Sequence, residues 1–363
     1  MSSGTIAVRE RSSRIARGAL AVAIVAAAAA GIVAWLRPRG LAEAWFYAVF
    51  VMLSPAMGSL ILLLIYRMTG GQWGRSLQPF LHAGVVLLPF IWLLLVPLLF
   101  LPDLGTPAGH RDPPASGTLA VYESHTMVVA RYIVIGIILA LLSWGSRRAG
   151  SDFRLRWVGP VGFITLVFLL HLASVDWLFS LQPGWYSTGF PLIWMGGQAI
   201  SGLAAAIVCG IATGRPASAI GTSGRPEGIE WGNLLLAAVM FWSYVAFVHL
   251  LIMWMGNIRK EVAWYVDRAT PAWGAVIAVI ALFHLFLPLL MLFFRAFKRS
   301  SRALGTLAAV LIALQALHTC WLIFPSLRPG AAVLLLAAIL AIAALGLFFA
   351  CYARLAARPE EVR

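Results

Sequence analysis

Residues 43–66 read EAWFYAVFVMLSPAMGSLILLLIY, with Glu43 at the edge as the only charge. A spanning helix needs about 20 mostly apolar residues. A backbone in hydrocarbon must satisfy its own polar groups, and a run this long excludes a barrel strand. The stretch is therefore read as a transmembrane α-helix. The same reading applies to nine further runs, so the expected spans are 18–36, 43–66, 79–101, 127–146, 158–180, 188–213, 231–255, 272–296, 303–324 and 331–353. The expected fold class is all-α integral membrane, a single membrane domain over 1–363.

Composition agrees. Of 363 residues, 61% are hydrophobic and 11% charged, and the mean hydropathy is +0.90. Soluble domains carry roughly 25% charged residues, and no aqueous fold of this size has interior enough for so much apolar surface. The net charge of +14 does not point to nucleic acid, because Arg and Lys sit in short gaps between apolar runs rather than in a basic domain.

Those gaps form two alternating sets. One, at the ends marked by Arg9, Arg67, Arg147, Arg215, Arg295 and Arg354, holds 19 Lys and Arg; the other holds 7; Arg131, inside a span, completes the 27. The positive-inside rule places the first set, and both termini, in the cytoplasm. The Ala-rich first run after Arg9, Arg11, Arg14 and Arg17 imitates a signal peptide, but Ala34-Trp35-Leu36-Arg37 offers no clean small-residue cleavage site, so it is read as a retained helix. The longest outer loop, 102–126, carries Asp103, His110, Asp112, Glu123 and His125, and the Gly-, Ser- and Pro-rich stretch 214–230 reads as a flexible linker between two halves.

Ionisable groups inside a span are costly and are functional candidates by default. Here they are His82, Arg131, His171, Asp176, His249, His284 and His318. Asp176 lies about a turn from the outer, C-terminal end of its helix, where the dipole opposes a negative charge. It must be protonated or paired, with Arg259, Lys260 or Arg131 as the available cations. It reads either as a proton-handling carboxylate or as an interfacial residue holding the turn at Gln182-Pro183-Gly184. His171 precedes it by five positions, about 140° around the helix, so both border one broad cavity at most. His249, on another helix, is expected at a similar depth. Each histidine has an alternative as a packing hydrogen-bond donor. His284, four residues before Pro288, is expected to help satisfy the carbonyls that proline frees. Trp177, Trp185, Tyr186, Trp254, Trp264 and Tyr265 read as an aromatic belt, or as walls for a flat apolar ring such as a quinone.

The three cysteines, Cys209, Cys320 and Cys351, stand apart, and no C-x-x-C or C-x-x-C-H occurs. No iron–sulfur cluster or attached c-type haem is expected. Metal and cofactor sites in this chain are expected to be none, and no phosphate-binding or hydrolase motif is present.

The run 174–188, SVDWLFSLQPGWYST, resembles the "DW-x-x-SL-x-P-x-WYST" signature of the polysulfide-reductase-type (NrfD-like) membrane subunit termed quinone-binding subunit 2 of bacterial alternative complex III, a quinol:cytochrome c oxidoreductase. Phe241–Tyr244 with Trp254–Ile258, Phe283–Pro288 and Trp321–Pro325 are similar to later segments of that family. The likeness covers roughly 160–325. His249 stands where the family pattern has glutamine, and Arg259-Lys260 replaces Pro-Glu. The resemblance implies two four-helix bundles, 43–180 and 188–324, flanked by helices 18–36 and 331–353. It implies no cofactor in this chain, with quinone or quinol as a bound substrate. It further implies iron–sulfur and haem c partner subunits with a second NrfD-like subunit, and a bacterial inner-membrane location. The expected function is assembly of a quinol oxidoreductase, quinone contact or proton passage, without catalysis by the chain alone. Expected proton-path and quinone-site residues are Asp176, His171, His249, Arg131, Trp185 and Tyr186. A secondary transporter and a structural anchor are the alternatives.

Overall fold

A computed structural model describes residues 3–36, 40–100, 117–148, 157–182, 184–215, 217, 219–221 and 224–357. Asp103, His110, Asp112 and Pro183 lie outside them. The chain is an all-α integral membrane protein, and among the described residues ten helical spans are long and apolar enough to cross a bilayer.

The helices are α1 (Ser3–Leu36), α2 (Leu41–Thr69), α3 (Gln72–Leu93), α4 (Thr118–Glu123), α5 (His125–Arg148), α6 (Val158–Trp177), α7 (Phe190–Ala212) and α8 (Glu227–Gly256). There follow α9 (Arg259–Val266), α10 (Pro271–Ile280), a π-turn (Ala281–Phe286), α11 (Leu287–Phe293), α12 (Arg295–Arg299), α13 (Ser301–Leu327) and α14 (Ala331–Ala356). The α2–α3 turn needs two glycines, since Gly70 and Gly71 take φ +65° and +102°, backbone that side-chain-bearing residues rarely adopt.

α2, α3, α5 and α6 pack on one another, as do α7, α8, α13 and the α10–α11 span. α14 lies along α2 and α3, and α1 along α14. The two groups meet where α2 crosses α7. These are the innermost helices, with 94% and 83% of their apolar windows buried against 17% for α1 and 22% for α8, the α10–α11 span and α14. Their backbones touch: a Cβ on Gly58 would land on the Gln198 carbonyl, and one on Gly202 on the backbone of Gly58. Small residues permit this approach in membranes, where packing rather than water drives association. Gly202→Val is expected to cost about 1–3 kcal/mol or more and to shift the detergent-solubilised protein to aggregate on size exclusion. A monodisperse wild-type elution would refute the crossing.

Two expectations need correction. The described part of the stretch between α7 and α8 is not a free linker. Ala217 is buried, its N–H donates to Ser301 Oγ at 2.8 Å, and its carbonyl accepts from Gly228 N–H at 2.8 Å. Arg215 reaches the Ser76 carbonyl. The basic stretch is thus sewn onto α3, α8 and α13. The second correction concerns His284. Among the described residues neither of its ring nitrogens has a hydrogen-bond partner, and the ring lies 4.6 Å from that of Trp242. The chain accommodates Pro288 by the π-turn itself, a common way to absorb a register mismatch inside a helix.

Candidate functional site

The C-terminal end of α6, the turn 178–189, α9 and the end of α13 form one face of the molecule, here called the Trp185 face. On it the predicted residues separate into two clusters.

The first is built on Asp176, whose side chain is 3% exposed. Arg131 of α5 holds it in a two-pronged grip, Nε donating to Oδ2 at 3.0 Å and Nη2 to Oδ1 at 2.8 Å. Nη1 donates to the Tyr122 carbonyl at 2.8 Å, and the guanidinium lies 3.8 Å from the centre of the Tyr122 ring. This works because α4 ends at Ser124, whose extended backbone breaks the helix and leaves the Tyr122 carbonyl free to accept from α5. The Tyr122 hydroxyl lies close to the same carboxylate. Burial, then the Asp176 charge, pushes that phenol up to about 12, so it remains a donor at neutral pH. Of the three cations available to Asp176, Arg131 is the partner; Arg259 and Lys260 are exposed. Planar bidentate pairing is what guanidinium does and ammonium does not.

The second cluster is built on His249 of α8. Its Nε2 lies 2.7 Å from Ser187 Oγ and its Nδ1 2.6 Å from the Tyr265 hydroxyl, so one imidazole links the turn after α6 to α9. Trp185 stacks on Trp264 at 5.1 Å and donates its indole N–H to the Glu261 carbonyl at 3.0 Å. Phe179 connects the clusters, meeting Trp185 edge-on at 5.2 Å and Tyr186 at 6.2 Å. Tyr186 is half exposed and sits near enough to Tyr122 to affect its ionisation. His171 joins neither cluster; it is half-buried and makes no hydrogen bond or ring contact with a described residue.

The residue that binds this face together was not singled out from the sequence. Arg268, 2% exposed, uses all five N–H groups. Nε donates to the Trp321 carbonyl at 3.3 Å. Nη1 donates to Gln182 Oε1 at 3.3 Å and the Trp264 carbonyl at 3.0 Å, and Nη2 to the Leu322 carbonyl at 2.8 Å and Ser326 Oγ at 3.0 Å. Its guanidinium also lies 3.7 Å from the centre of the Trp264 ring. Burial pushes it down to about 9, against the opposing pull of Asp267 and Tyr265, so it stays charged at neutral pH. Asp267 itself accepts from Gln182 Nε2 at 2.9 Å. The signal in the sequence was Trp264 four residues earlier, one turn back along the chain. Counting charges for topology treats such an arginine as solvated.

Among the described residues no three His, Cys, Asp or Glu side chains converge as metal ligands would, and the three cysteines are unpaired. No family model matches the chain, and no curated protein matches it.

Proposed function

We propose that the chain is a membrane subunit, without a cofactor of its own, of a quinol-oxidising electron-transfer complex. It would sit in a bacterial inner membrane with both termini cytoplasmic and the Trp185 face outward. Iron–sulfur and haem c subunits and a second membrane subunit of the same kind would be its partners. The family resemblance of 174–188 supports this, and so does the use this chain makes of that run. Asp176 grips Arg131, Gln182 engages Asp267 and Arg268, Trp185 engages α9, and Ser187 engages His249.

The observation that carries the reading is the buried Asp176–Arg131 pair. Quinol oxidation releases two protons, which need a base and a route to water. A carboxylate held in the membrane by a cation and a phenol keeps a proton-accepting group where hydrocarbon would otherwise expel it. On this reading Asp176 accepts and passes on the proton, Arg131 sets its charge balance, and Tyr122 supplies an exchangeable donor. His249, Trp185 and Tyr186 shape the neighbouring mouth.

Asp176→Asn keeps shape and one acceptor but removes the base. In the purified complex it is expected to lower quinol-dependent electron transfer about tenfold or more, while haem c subunits still copurify. Wild-type turnover would end the proton-relay role. A second reading, that the chain is an anchor for redox partners, is favoured by the completeness of Arg131's pairing; it expects that wild-type turnover.

A further inference from the structure

Phe286, Leu290 and Phe293 follow one another along one face of the α10–α11 span and are 52%, 58% and 64% exposed. This membrane-facing stripe runs out into Arg295, two residues beyond the end of the span. Phe294 and Ser300 are both extended, so α12 is stepped between α11 and α13. Lys298 fixes which side of α12 looks outward. Its stem lies over Gly228 and Gly232 of α8, where added Cβ atoms would land on the Lys298 carbonyl and side chain, and its ammonium donates to Asn233 Oδ1. Phe297 packs on the core beside it. Arg295 and Arg299, one turn apart, are thereby held on the opposite side and exposed, as is Arg302 at the start of α13.

The stretch 295–302 holds four cations and no acid. Other arginines at the same ends of the spans spend their donors on the chain: Arg67 on the Ser146 carbonyl, Arg147 on that of Ser143 and Arg215 on that of Ser76. Among the described residues Arg295, Arg299 and Arg302 make no hydrogen bond and no ion pair. Like charges four apart on a helix repel, and burial followed by the charge of Arg295 pushes the Lys298 ammonium down. α8 brings Glu227 and Glu230 to this end, but Glu227 lies under the charge of Arg215. The three guanidiniums thus call for an anion from outside the chain, and phosphate oxygens match their fork. The stripe that leads to them is apolar and open to hydrocarbon, so the anion that fits carries acyl chains. A soluble phosphate or an acidic peptide leaves the stripe unused.

We propose that α12 and the membrane-facing side of α11 form a site for an anionic phospholipid. Its phosphate accepts from Arg295 and Arg299, Arg302 supplies a third cation, and its acyl chains lie along Phe293, Leu290 and Phe286. The lipid covers the step between α11 and α13 and presses α12 onto α8. A zwitterionic lipid brings the same chains, but its own ammonium answers its phosphate, so the cations select a headgroup with net negative charge. The site stands apart from the quinol-complex reading and does not depend on which leaflet α12 meets.

The test uses the full chain in phosphatidylcholine nanodiscs with a low mole fraction of phosphatidylglycerol that carries a photoactivatable diazirine on one acyl chain. Crosslinks are expected within 286–302. Arg295→Gln and Arg299→Gln should each lower them about fivefold, and the two together about twentyfold or more, with unchanged elution on size exclusion. Unlabelled phosphatidylglycerol should raise the melting temperature of the wild type, as any ligand of the folded state does, and leave that of the double variant where it is. Arg354→Gln removes an exposed cation from the end of α14 and should change neither reading. An equal loss of crosslinks in Arg354→Gln would reduce the effect to net charge and overturn the site. So would crosslinks within 286–302 that survive the double variant, equal crosslinking by a phosphatidylcholine probe of the same design, or the same thermal shift from inorganic phosphate alone.

Discussion

Arg268→Met is expected to remove about 3–5 kcal/mol of stability, within the range for dismantling a buried polar network, and to lower the melting temperature in detergent accordingly. The reason lies in α13. Pro325 has no N–H, so the Trp321 carbonyl four residues earlier loses its helical partner. Arg268 Nε supplies the missing donor at 3.3 Å, and Nη2 takes the Leu322 carbonyl and Ser326 Oγ. The positive charge also sits at a helix C-terminus, where the dipole favours it. The same guanidinium holds Gln182 and the Trp264 carbonyl, so one side chain ties together the turn after α6, α9 and α13. Methionine matches the volume but donates nothing, so all five acceptors lose the guanidinium; Gln182 Oε1 keeps only the Ser326 hydroxyl. Arg268→Lys should recover less than half of the loss, since a three-donor ammonium cannot span a fork of five acceptors. A melting temperature for Arg268→Met within two degrees or so of wild type, on the scale of about 2–8 °C per kcal/mol, would show that the network contributes little.

Ten spans were legible because lipid leaves a backbone one option, and long apolar runs declare it. The errors fall where hydropathy is silent. The apolar run 18–36 continues a helix already formed from Ser3, so hydropathy marks the span and not where the helix starts. The linker 214–230 looked flexible by composition, yet backbone bonds and Ser301 fix its described part. In the site, Asp176 announced itself by cost: a carboxylate in a span needs an explanation. Arg131 stood among three possible partners, and depth could not choose between them. Only the α4–α5 break, which aims the Tyr122 carbonyl at the guanidinium, explains why Arg131 is held there. Tyr122 and Arg268 escaped notice because they lie between spans, where polar residues look free to meet water. His171 is five positions from Asp176, which turns the two side chains onto different faces, and among the described residues His171 meets no hydrogen-bond or ring partner.

The Asp176–Arg131 pair should give the other large effect, with an asymmetry that geometry dictates. Arg131→Met leaves a carboxylate 3% exposed with Tyr122 as its remaining support. Removing one partner of a buried pair costs about 3–5 kcal/mol, and that loss is expected here. Asp176→Leu should cost less, because Arg131 is 16% exposed, keeps the Tyr122 carbonyl and ring, and can turn toward the headgroups. The double variant Arg131→Met/Asp176→Leu should regain most of the stability, since a buried ion pair exchanged for apolar side chains of similar size is often neutral or stabilising. Thermal unfolding of the four proteins in detergent measures the coupling, and additive losses would mean that the two residues do not act as a pair. The same double variant separates relay from anchor. Restored stability with lost quinol-dependent turnover assigns the charges to proton handling, whereas restoration of both assigns them to holding α5 against α6.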